Sequence, residues 1–394
     1  MARYLIGWEL GASPDLQLDI ADLARGLLRR GHQVHIASGD PVTLATQVEE
    51  GLERAILPAP VPPLRPDLIM RPPREGGFAD KLHAQGFGSP AVLAALASAW
   101  RNLCQAVAAD VAVSVGAPVL ALSARGRLPL LVAGSAESLP PVELPNWPRL
   151  HANIAPAQRD EKLVLHASLA ASAVGAAPVA APTDVLRGDA VLVYGLPQID
   201  PYAALRREKA GGPLLALPAP CVPPGKPAMV AVLDVHHPDI ETLVLALSDF
   251  GKTPVHVHIR GMTVPMYNFL SQAPGIAIHT TPAAALATLP EASFVLHHAN
   301  PRVAALAIGL GVPQSLLPYT VEQNAVADML QRFNAGYRLQ SGTDPQPVAD
   351  RLTWLFRDLD QVQNAQHFAR QAALQPPQPA LETLVSLAEG LAAR

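Results

Sequence analysis

The sequence has little charge, little excess of either sign, and no long hydrophobic run. Charged residues make up 16% of the 394 residues, and the formal net charge is only −4. A protein dedicated to nucleic acid normally carries a basic excess on one face, so this balance argues against that class. No stretch reaches the roughly 18 uninterrupted apolar residues that a membrane-spanning helix needs. We therefore expect no nucleic-acid partner and no transmembrane segment.

Cysteine is nearly absent as well. The chain has two cysteines, Cys104 and Cys221, and their spacing matches no metal or redox motif. Residues 1–10 lack the apolar core and the small-residue cleavage site of a secretory signal. Because structural disulfides belong to oxidising compartments, this pattern predicts a cytoplasmic protein that needs no disulfide.

Hydrophobic residues and proline, by contrast, are plentiful. Hydrophobic residues make up 49% of the chain, which excludes an intrinsically disordered protein. At roughly 100–200 residues per domain, the length predicts two domains. The 41 prolines indicate many punctuated loops, and no glycine period accompanies them as it would in a collagen-like repeat.

The first forty residues read as a strand, a helix and a second strand. An apolar run at 4–8 predicts a buried strand, and apolar residues at helical spacing follow from Leu16 onward. Gly31 ends the helix, as glycine just past a helix C-terminus does. The next strand is predicted at 33–37. A crossover of this kind starts a doubly wound parallel sheet.

Further α/β elements follow in two series. The first series continues with a helix at 91–107, strands at 111–115, 129–133 and 189–194, and an irregular excursion at 57–88. The second series has predicted strands at 229–233, 255–259, 276–278, 294–296 and 314–317. Its predicted helices are 240–250, 264–272, 282–289 and 301–310, and helices finish the chain.

A segment without periodicity separates the two series. Residues 206–227 are rich in proline and glycine, which marks a linker. We therefore predict an N-terminal domain at 1–205, a C-terminal domain at 228–372, and a segment at 373–394 whose helix crosses back to the N-terminal domain. Two such halves place a ligand site in the cleft between them, outside the carboxyl ends of the strands.

Three blocks in the second half stand in a recognisable order. They are His297-His298-Ala299-Asn300-Pro301-Arg302, then Gly309-Leu310-Gly311-Val312-Pro313-Gln314, then Pro318 and Glu322-Gln323-Asn324-Ala325. Their order and spacing resemble the nucleotide-sugar-binding segment of GT-B glycosyltransferases. The resemblance is to the UDP-glycosyltransferase-like branch, which includes the macrolide and glycopeptide transferases. Trp8-Glu9-Leu10-Gly11 and the helix end at Gly31-His32 resemble the opening unit of that family.

The resemblance implies a fold and an activity. The implied fold is GT-B, an α/β architecture of two Rossmann-like, doubly wound domains that face each other across a cleft. The implied activity transfers a sugar, with inversion, from a nucleotide-sugar donor to an unknown acceptor. The donor is a substrate, so no cofactor is expected. The N-terminal domain would hold the acceptor and the C-terminal domain the donor.

The donor is expected at the carboxyl ends of the C-terminal strands. A helix N-terminus accepts diphosphate charge through its free N–H groups and its positive dipole end. In the family a strand-end histidine donates to a phosphate oxygen, and an acidic residue followed by glutamine grips sugar hydroxyls. The residues that match these positions or flank them are His236, His237, His297, His298, Asn300, Arg302, Glu322 and Gln323.

The sequence departs from the family at the catalytic base. Leu16 occupies the slot of the family's base histidine, and leucine cannot accept a proton. Asp15, one residue earlier, is the candidate catalytic residue, since a carboxylate in a cleft can take a hydroxyl proton. Asp15 equally fits a helix N-cap or a first-turn acid, and Ser13 competes for the cap.

The turn that binds phosphate in the family also differs in this sequence. Where the family has glycines and a small hydroxyl residue, this chain has Ala299, Asn300 and Pro301. Asn300 and Pro301 make a sound helix start, but proline removes one N–H and its ring crowds the phosphate position. Arg302 offers a charge-assisted contact in exchange. A helix cap without any ligand fits this turn equally well.

Histidine pairs raise the question of a metal. The pairs 236–237 and 297–298 each follow a predicted strand, and imidazole is a common zinc ligand. No recognised ligand spacing accompanies them, so we predict no metal. His256 and His258 alternate along a strand, which places both on one strand face.

Three hypotheses stay open. The first is a metal-independent inverting glycosyltransferase, favoured by the architecture and by Glu322-Gln323. The second is a GT-B-shaped protein that has lost transfer chemistry and acts as a binding module or as a subunit of a protein partner or homodimer. Leu16 and Pro301 favour it. The third is a metal-assisted enzyme built on the histidine pairs. A fold alone does not confer a reaction.

Overall fold

The computed structural model describes residues 1–10, 14–48, 51–62, 75–222, 227–250, 253–340, 342, 344–356 and 358–394. Within these ranges the chain divides into two compact units. Unit 1 consists of Met1–Pro197, Pro201–Leu214 and Pro379–Arg394. Unit 2 consists of Gln198–Asp200 and Leu215–Gln378.

Unit 1 is built on a six-stranded parallel sheet. Its strands are β1 (Arg3–Trp8), β2 (Gln33–Ser38), β3 (Ile56–Pro58), β4 (Val111–Val115), β5 (Leu130–Ser135) and β6 (Ala190–Tyr194), in the order β3-β2-β1-β4-β5-β6. Its helices are α1 (Pro14–Arg29), α2 (Pro41–Gln47), α3 (Phe78–Leu82), α4 (Pro90–Ala106), α5 (Pro118–Ala124), α6 (Asp160–Val174) and α14 (Leu381–Ala392). Short 3-10 turns lie at Leu52–Ala55 and Pro182–Leu186, and a π turn lies at His83–Phe87. Another 3-10 turn, Pro197–Ile199, begins in unit 1 and continues into residues assigned to unit 2.

Both faces of this sheet are covered, which explains its apolar strands. Alternate residues of one strand point to opposite faces. Leu5 of β1 belongs to the core cluster that contains Trp100 of α4, whereas its neighbour Ile6 belongs to the cluster that contains Leu27 of α1. A parallel strand buried on both faces needs a continuous apolar run, and all five residues of β4 are buried.

The last helix of the chain belongs to unit 1. Leu384 and Val385 of α14 share a core cluster with Leu27 of α1. The main-chain N–H of Ala380 donates to the Pro213 carbonyl at 2.9 Å, and that of Leu381 donates to the Leu214 carbonyl at 3.1 Å. The chain therefore returns to unit 1 beside the point at which it leaves it.

Unit 2 repeats the same plan. Its strands are β7 (Met229–Asp234), β8 (Val255–Arg260), β9 (Ile276–Ile278), β10 (Phe294–His297), β11 (Gln314–Leu316) and β12 (Tyr337–Arg338), in the order β12-β11-β10-β7-β8-β9. Its helices are α7 (Ile240–Ser248), α8 (Val264–Leu270), α9 (Pro282–Leu286), α10 (Pro301–Leu310), α11 (Val321–Arg332), α12 (Pro345–Leu355) and α13 (Leu359–Leu374), with a 3-10 turn at Leu289–Glu291.

Both sheets have the strand order of a Rossmann fold. Counted from the first strand of each unit, the order is 3-2-1-4-5-6, and the strand pairs are parallel. The predicted α/β class with two Rossmann-like units is confirmed. Each strand and helix predicted for the second series is present, with ends that shift by three residues at most.

The irregular excursion predicted at 57–88 was wrong in part. The described part of this segment contains the end of β3, all of α3 and the π turn. Its residues 63–74 lie outside the described ranges. The prediction failed because α3 has only five residues, too few for a helical period to be recognised.

Candidate functional site

The strand order of unit 2 marks one position for a ligand. In a doubly wound sheet, ligands bind outside the carboxyl ends of the strands where the strand order reverses. In unit 2 that point lies between β7 and β10, which end at Asp234 and His297. Arg260, the last residue of β8, pairs in register with Asp234. The loop 298–300 continues from β10, so the sequence-predicted histidines lie at this edge.

The Asp234 carboxylate is the centre of a buried polar network. Its Oδ2 accepts from Nε of Arg260 at 2.9 Å and from the hydroxyl of Tyr319 at 3.0 Å, and Nη2 of Arg260 donates to the same oxygen. Its Oδ1 accepts from the main-chain N–H of His236 at 2.8 Å. Burial alone would raise the pKa of Asp234, but the His236 hydrogen bonds and the Arg260 charge hold it well below its usual range. The carboxylate is therefore ionised and paired.

His298 is fully engaged by the main chain. Its Nε2 accepts from the N–H of Asp234 at 2.9 Å, and its Nδ1 lies 2.7 Å from the carbonyl oxygen of Leu317. These bonds place the hydrogen on Nδ1 and keep the ring neutral. Burial lowers the pKa of His298 to about 4, against the opposing effect of the Leu317 carbonyl. Both ring nitrogens link β10 to its neighbours, so neither is available to a phosphate.

His297 is equally enclosed, on the other side of the loop. It is 0% exposed; its Nε2 lies 3.1 Å from Oε1 of Gln314, and its Nδ1 accepts from the N–H of Asn300 at 3.1 Å. Burial lowers the pKa of His297 to about 3. This imidazole therefore holds the start of the 298–300 loop against β11.

The second histidine pair meets the first. The ring of His237 stacks on that of His298, with ring centroids 5.2 Å apart and planes 14° apart. Nδ1 of His237 accepts from the N–H of Asp239 at 3.1 Å, and Nδ1 of His236 lies 2.8 Å from Oδ1 of Asp234. His237 is buried, whereas His236 is largely exposed. The two histidine pairs thus meet at one strand edge within unit 2.

No metal arrangement results from this meeting. Within the described ranges, no group of three or more His, Cys, Asp or Glu side chains is placed to hold a metal ion. His256 and His258 share one face of β8, where Nδ1 of His256 lies 3.0 Å from Nε2 of His279. Nδ1 of His258 lies 3.1 Å from the His279 carbonyl oxygen.

The turn after β10 contains a buried donor without a partner. Ala299 has a left-handed backbone, with φ of 58°, and Asn300 occupies the N-cap position of α10 with Pro301 at the first helical position. The Asn300 side chain makes no cap hydrogen bond, although the residue is only 3% exposed. Its Nδ2 has no hydrogen-bond partner among the described residues. Arg302 has an interaction of its own and is not free.

Glu322 and Gln323 begin α11. The Thr320 side chain accepts from the N–H of Gln323 at 3.2 Å. Oε1 of Gln323 accepts in return from the N–H groups of Thr320 and Tyr319, at 3.2 and 3.0 Å. This reciprocal pattern is a capping box. Glu322 is buried and has a partner. The amide oxygen of Gln323 is therefore occupied in capping α11. Only its NH₂ group can donate a hydrogen bond to a ligand.

The candidate base in unit 1 is placed only by its backbone. Asp15 lies in the first turn of α1, next to Leu16, and its side chain is outside the described part of the structure. Ser13 and Gly11 also lie outside the described ranges. The assignment of Asp15 as the base stays a prediction.

Sequence reasoning missed a buried acid at the carboxyl edge of the unit 1 sheet. Glu9 follows β1; its carboxylate oxygens accept from the N–H groups of Val119 and Leu120, at 3.0 and 2.8 Å, at the start of α5. Burial raises the pKa of Glu9 to about 8, although these hydrogen bonds oppose the shift. A second acid, Glu137, accepts from the Ser135 hydroxyl at 2.5 Å where β5 ends. The signal for Glu9 was available in the sequence, because it directly follows the strand predicted at 4–8.

The comparisons with known proteins agree on the fold. No protein-family model and no curated protein matches this sequence. Solved structures do match. The glycosyltransferase SnogD from Streptomyces nogalater is 17% identical, with a TM-score of 0.63 over 98% of this chain and 99% of that one. The glycosyltransferase VinC, in complex with DTDP, is 16% identical, with a TM-score of 0.62 over 98% and 100%. SsfS6 from Streptomyces sp. SF2575, complexed with thymidine diphosphate, is 15% identical, with a TM-score of 0.61 over 98% and 100%.

These likenesses establish the fold class over nearly the whole chain. The protein has the α/β fold of GT-B glycosyltransferases, as the sequence resemblance implied. Identities of 15–17% show the fold and not the reaction. Among the residues that the structure describes, no helix is long and apolar enough to cross a membrane.

Proposed function

We propose that this protein is a glycosyltransferase that binds a nucleotide sugar at the carboxyl edge of the unit 2 sheet. Two observations support the donor class. The fold is that of glycosyltransferases, and the structures of two of them hold DTDP or thymidine diphosphate. The 297–302 turn lies at the strand-order reversal of unit 2, the usual ligand position in such sheets.

The observation that carries the proposal is the unpartnered Nδ2 of Asn300. A buried polar group without a hydrogen bond costs about 1–3 kcal/mol, so a ligand that accepts from this N–H gains binding energy from it. Nδ2 lies at the start of α10, a helix of ten residues. The N–H groups of the first helical turn have no partner within the helix, and the Asn300 side chain does not cap them. These donors and the positive end of the helix together fit an anionic phosphate.

In this proposal Asn300, and not a histidine, donates the hydrogen bond to the diphosphate. His298 matches the histidine that donates to phosphate in the family, but both of its ring nitrogens are bonded to the main chain. Two residues further on, Asn300 supplies an N–H donor that is not already engaged. We therefore assign the diphosphate contact to Asn300 and to the first turn of α10, and treat His298 as the residue that holds the turn in place.

Calorimetric titration with UDP-, TDP- and GDP-sugars tests this proposal. We expect saturable binding of at least one donor, and its loss in Asn300→Asp, because a carboxylate there repels the phosphate. The matched control is Asn268→Asp, the same change at an exposed position of α8. Titrations that stay flat across the whole panel, or binding that Asn300→Asp leaves intact, would refute the assignment.

Transfer needs a base as well as a donor site. Inverting transfer attacks the anomeric carbon in line, with a base on the acceptor hydroxyl and the leaving diphosphate stabilised opposite. Asp15 is the proposed base, next to the position where Leu16 replaces the family's histidine. Asp15→Asn should abolish turnover and leave donor affinity unchanged. Turnover that survives this change would mean that a group other than Asp15 accepts the proton of the acceptor hydroxyl.

The second candidate function is a binding module without transfer chemistry. The enclosed imidazole of His298 and the loss of the base at Leu16 favour it. The two candidates differ in turnover. A binding module retains donor affinity that depends on Asn300 but neither transfers the sugar nor hydrolyses the donor over long incubation.

A further inference from the structure

A small cavity opens at the amino edge of the unit 1 sheet. It has a volume of about 140 Å³ and lies between the last turns of α4 and α5. β4 and β5 begin near it, at Val111 and Leu130, so it lies at the opposite edge of the sheet from Glu9. Its lining includes the polar residues Arg101, Gln105 and Arg127 and the apolar residues Cys104, Ala109 and Leu128.

The lining carries two positive charges and no carboxylate. Among the residues that the structure describes, neither Arg101 nor Arg127 forms an ion pair or a side-chain hydrogen bond. Some arginines of unit 1 are paired, as Arg3 is with Asp110 and Arg149 with Asp80, whereas Arg29 and Arg159 have no ion pair among the described residues either. The distinctive feature of Arg101 and Arg127 is that both line the same hollow.

The negative ends of α4 and α5 do not fully neutralise the charge of these two arginines. Cations are favoured at the negative end of a helix, where they can also bind the last carbonyls. Here main-chain N–H groups already satisfy the last-turn carbonyls of Cys104, Gln105 and Ala124, at 2.9, 3.0 and 2.9 Å. The two helix ends contribute about −0.5 charge each against two full positive charges, which leaves a net charge of about +1.

The other side chains of the lining do not neutralise this charge. Burial raises the pKa of the Cys104 thiol to about 11, against the lowering effect of the Arg127 charge. The thiol is therefore neutral and acts as part of the apolar wall. Ser123, also in the lining, donates its hydroxyl to the Ala97 carbonyl at 3.0 Å.

We propose that this cavity binds a small carboxylate with a short apolar body. The carboxylate pairs with Arg101 and Arg127, and the apolar body lies against Cys104, Ala109 and Leu128. The planar fork of arginine matches the two oxygens of a carboxylate. The volume is well below the roughly 300–1,000 Å³ of pockets for drug-sized ligands, which limits the ligand to a few carbon atoms.

Inorganic phosphate fits the cavity less well than a carboxylate. Phosphate sites in proteins commonly supply main-chain N–H groups from a turn or a helix start. In this lining the N–H groups of Ala108, Ala109, Arg127 and Leu128 are bonded to carbonyls in the last turns of α4 and α5. Much of the lining is apolar, and a phosphate makes no use of it.

Titration of the full-length chain tests the proposal. Butyrate, hexanoate, benzoate and inorganic phosphate are titrated by calorimetry at one fixed ionic strength. We expect saturable binding of at least one carboxylate, weakened about tenfold or more in Arg101→Gln and in Arg127→Gln, because each loses a charged hydrogen bond. Arg29→Gln, at an exposed position in the last turn of α1, is the matched control and should bind as the wild type does.

Each other outcome overturns the proposal. Absence of saturable carboxylate binding refutes the site, and equal affinity in the Arg101 and Arg127 variants refutes its location. Phosphate binding in preference to every carboxylate refutes the ligand class. The variants should unfold at the wild-type midpoint, since neither guanidinium bonds to another described residue. The outcome is independent of the nucleotide-sugar proposal, because that site lies in unit 2.

Discussion

Lowering the pH from 7 to 5 should destabilise unit 2 through two buried imidazoles. His297 and His298 have pKa values lowered to about 3 and about 4 in the folded protein, against an ordinary value of about 6.5. Below about pH 6.5 the unfolded chain therefore binds a proton at each of these histidines, whereas the folded chain does not. The stability that depends on these residues is complete above pH 6.5 and is lost as the pH falls below it.

The expected loss is large on the scale of protein stability. Between pH 7 and pH 5, each histidine binds its proton in the unfolded state and stays mostly neutral in the folded one. This difference lowers the free energy of unfolding by about 2 kcal/mol for each residue, or by about 4 kcal/mol for both together. A whole domain is commonly stable by only about 5–15 kcal/mol. Mild acid should therefore remove a large part of the stability of unit 2 in a range where surface histidines would have little effect.

Equilibrium urea unfolding at the two pH values measures this loss. A brief hydrogen-exchange pulse at one fixed pH, read on peptides that cover β7 and β10, reports unit 2 alone. In His297→Gln and in His298→Gln the loss between pH 7 and pH 5 should shrink by about 2 kcal/mol, although each variant is less stable at pH 7. His367→Gln, at an exposed position of α13, is the control. An unchanged loss in both buried variants would refute the reasoning.

Three further predictions concern the same edge of the sheet. Arg260→Gln leaves the Asp234 carboxylate buried without its cation and should cost about 3–5 kcal/mol in urea unfolding. Thr320→Ala removes the cap of α11 and should cost about 1 kcal/mol in the same assay. Ala299→Gly relieves a left-handed alanine but loses a buried methyl group, and these effects of about 1 kcal/mol each should nearly cancel. Its calorimetric Tm should hardly move, while donor affinity rises because glycine lets the backbone approach the phosphate.

Each of these predictions has an outcome that contradicts it. An Arg260→Gln variant as stable as Arg332→Gln, its exposed control on α11, would mean that the Asp234 charge does not depend on this cation. An unchanged Thr320→Ala variant would make the capping box irrelevant to stability. A large fall in Tm for Ala299→Gly would show that its methyl group matters more than its backbone conformation.

The fold could be predicted because its signals are local. Buried strands of a parallel sheet are short apolar runs, and the runs at β1, β4 and β7 stand between turn residues. Helix ends are equally local. Gly31 and Gly311 have φ of 79° and 77°, the left-handed conformation that favours glycine after a helix.

The sequence analysis missed α2, α3, α5 and α6, and the last two show why. All seven residues of α5 are buried, so its sequence has no polar face and no helical period to recognise. In α6, Leu165 and Leu169 are exposed although they are apolar. Exposed leucines break the amphipathic pattern that marks a surface helix.

The sequence could predict where the candidate site residues lie in the fold, but not which atoms they bond. Pattern alone placed His298 and Asn300 after a strand, and both follow β10 in the structure. Which nitrogen is engaged depends on partners far away in sequence, such as Leu317, which lies 19 positions after His298. The role of Arg260 was missed for the same reason, since its partner Asp234 lies 26 residues earlier.

The return of α14 to unit 1 makes unit 2 an insert in the chain. Leu214 and Leu381 are joined by a main-chain hydrogen bond, so the two cut points on either side of the insert are neighbours in space. A few glycine and serine residues between Leu214 and Pro379 can therefore replace 215–378 without stretching the chain. A conventional truncation at the end of the first series would instead remove α14 and expose the face of α1 around Leu27 that it covers. Separate preparation of the two units should excise the insert rather than cut the chain in half.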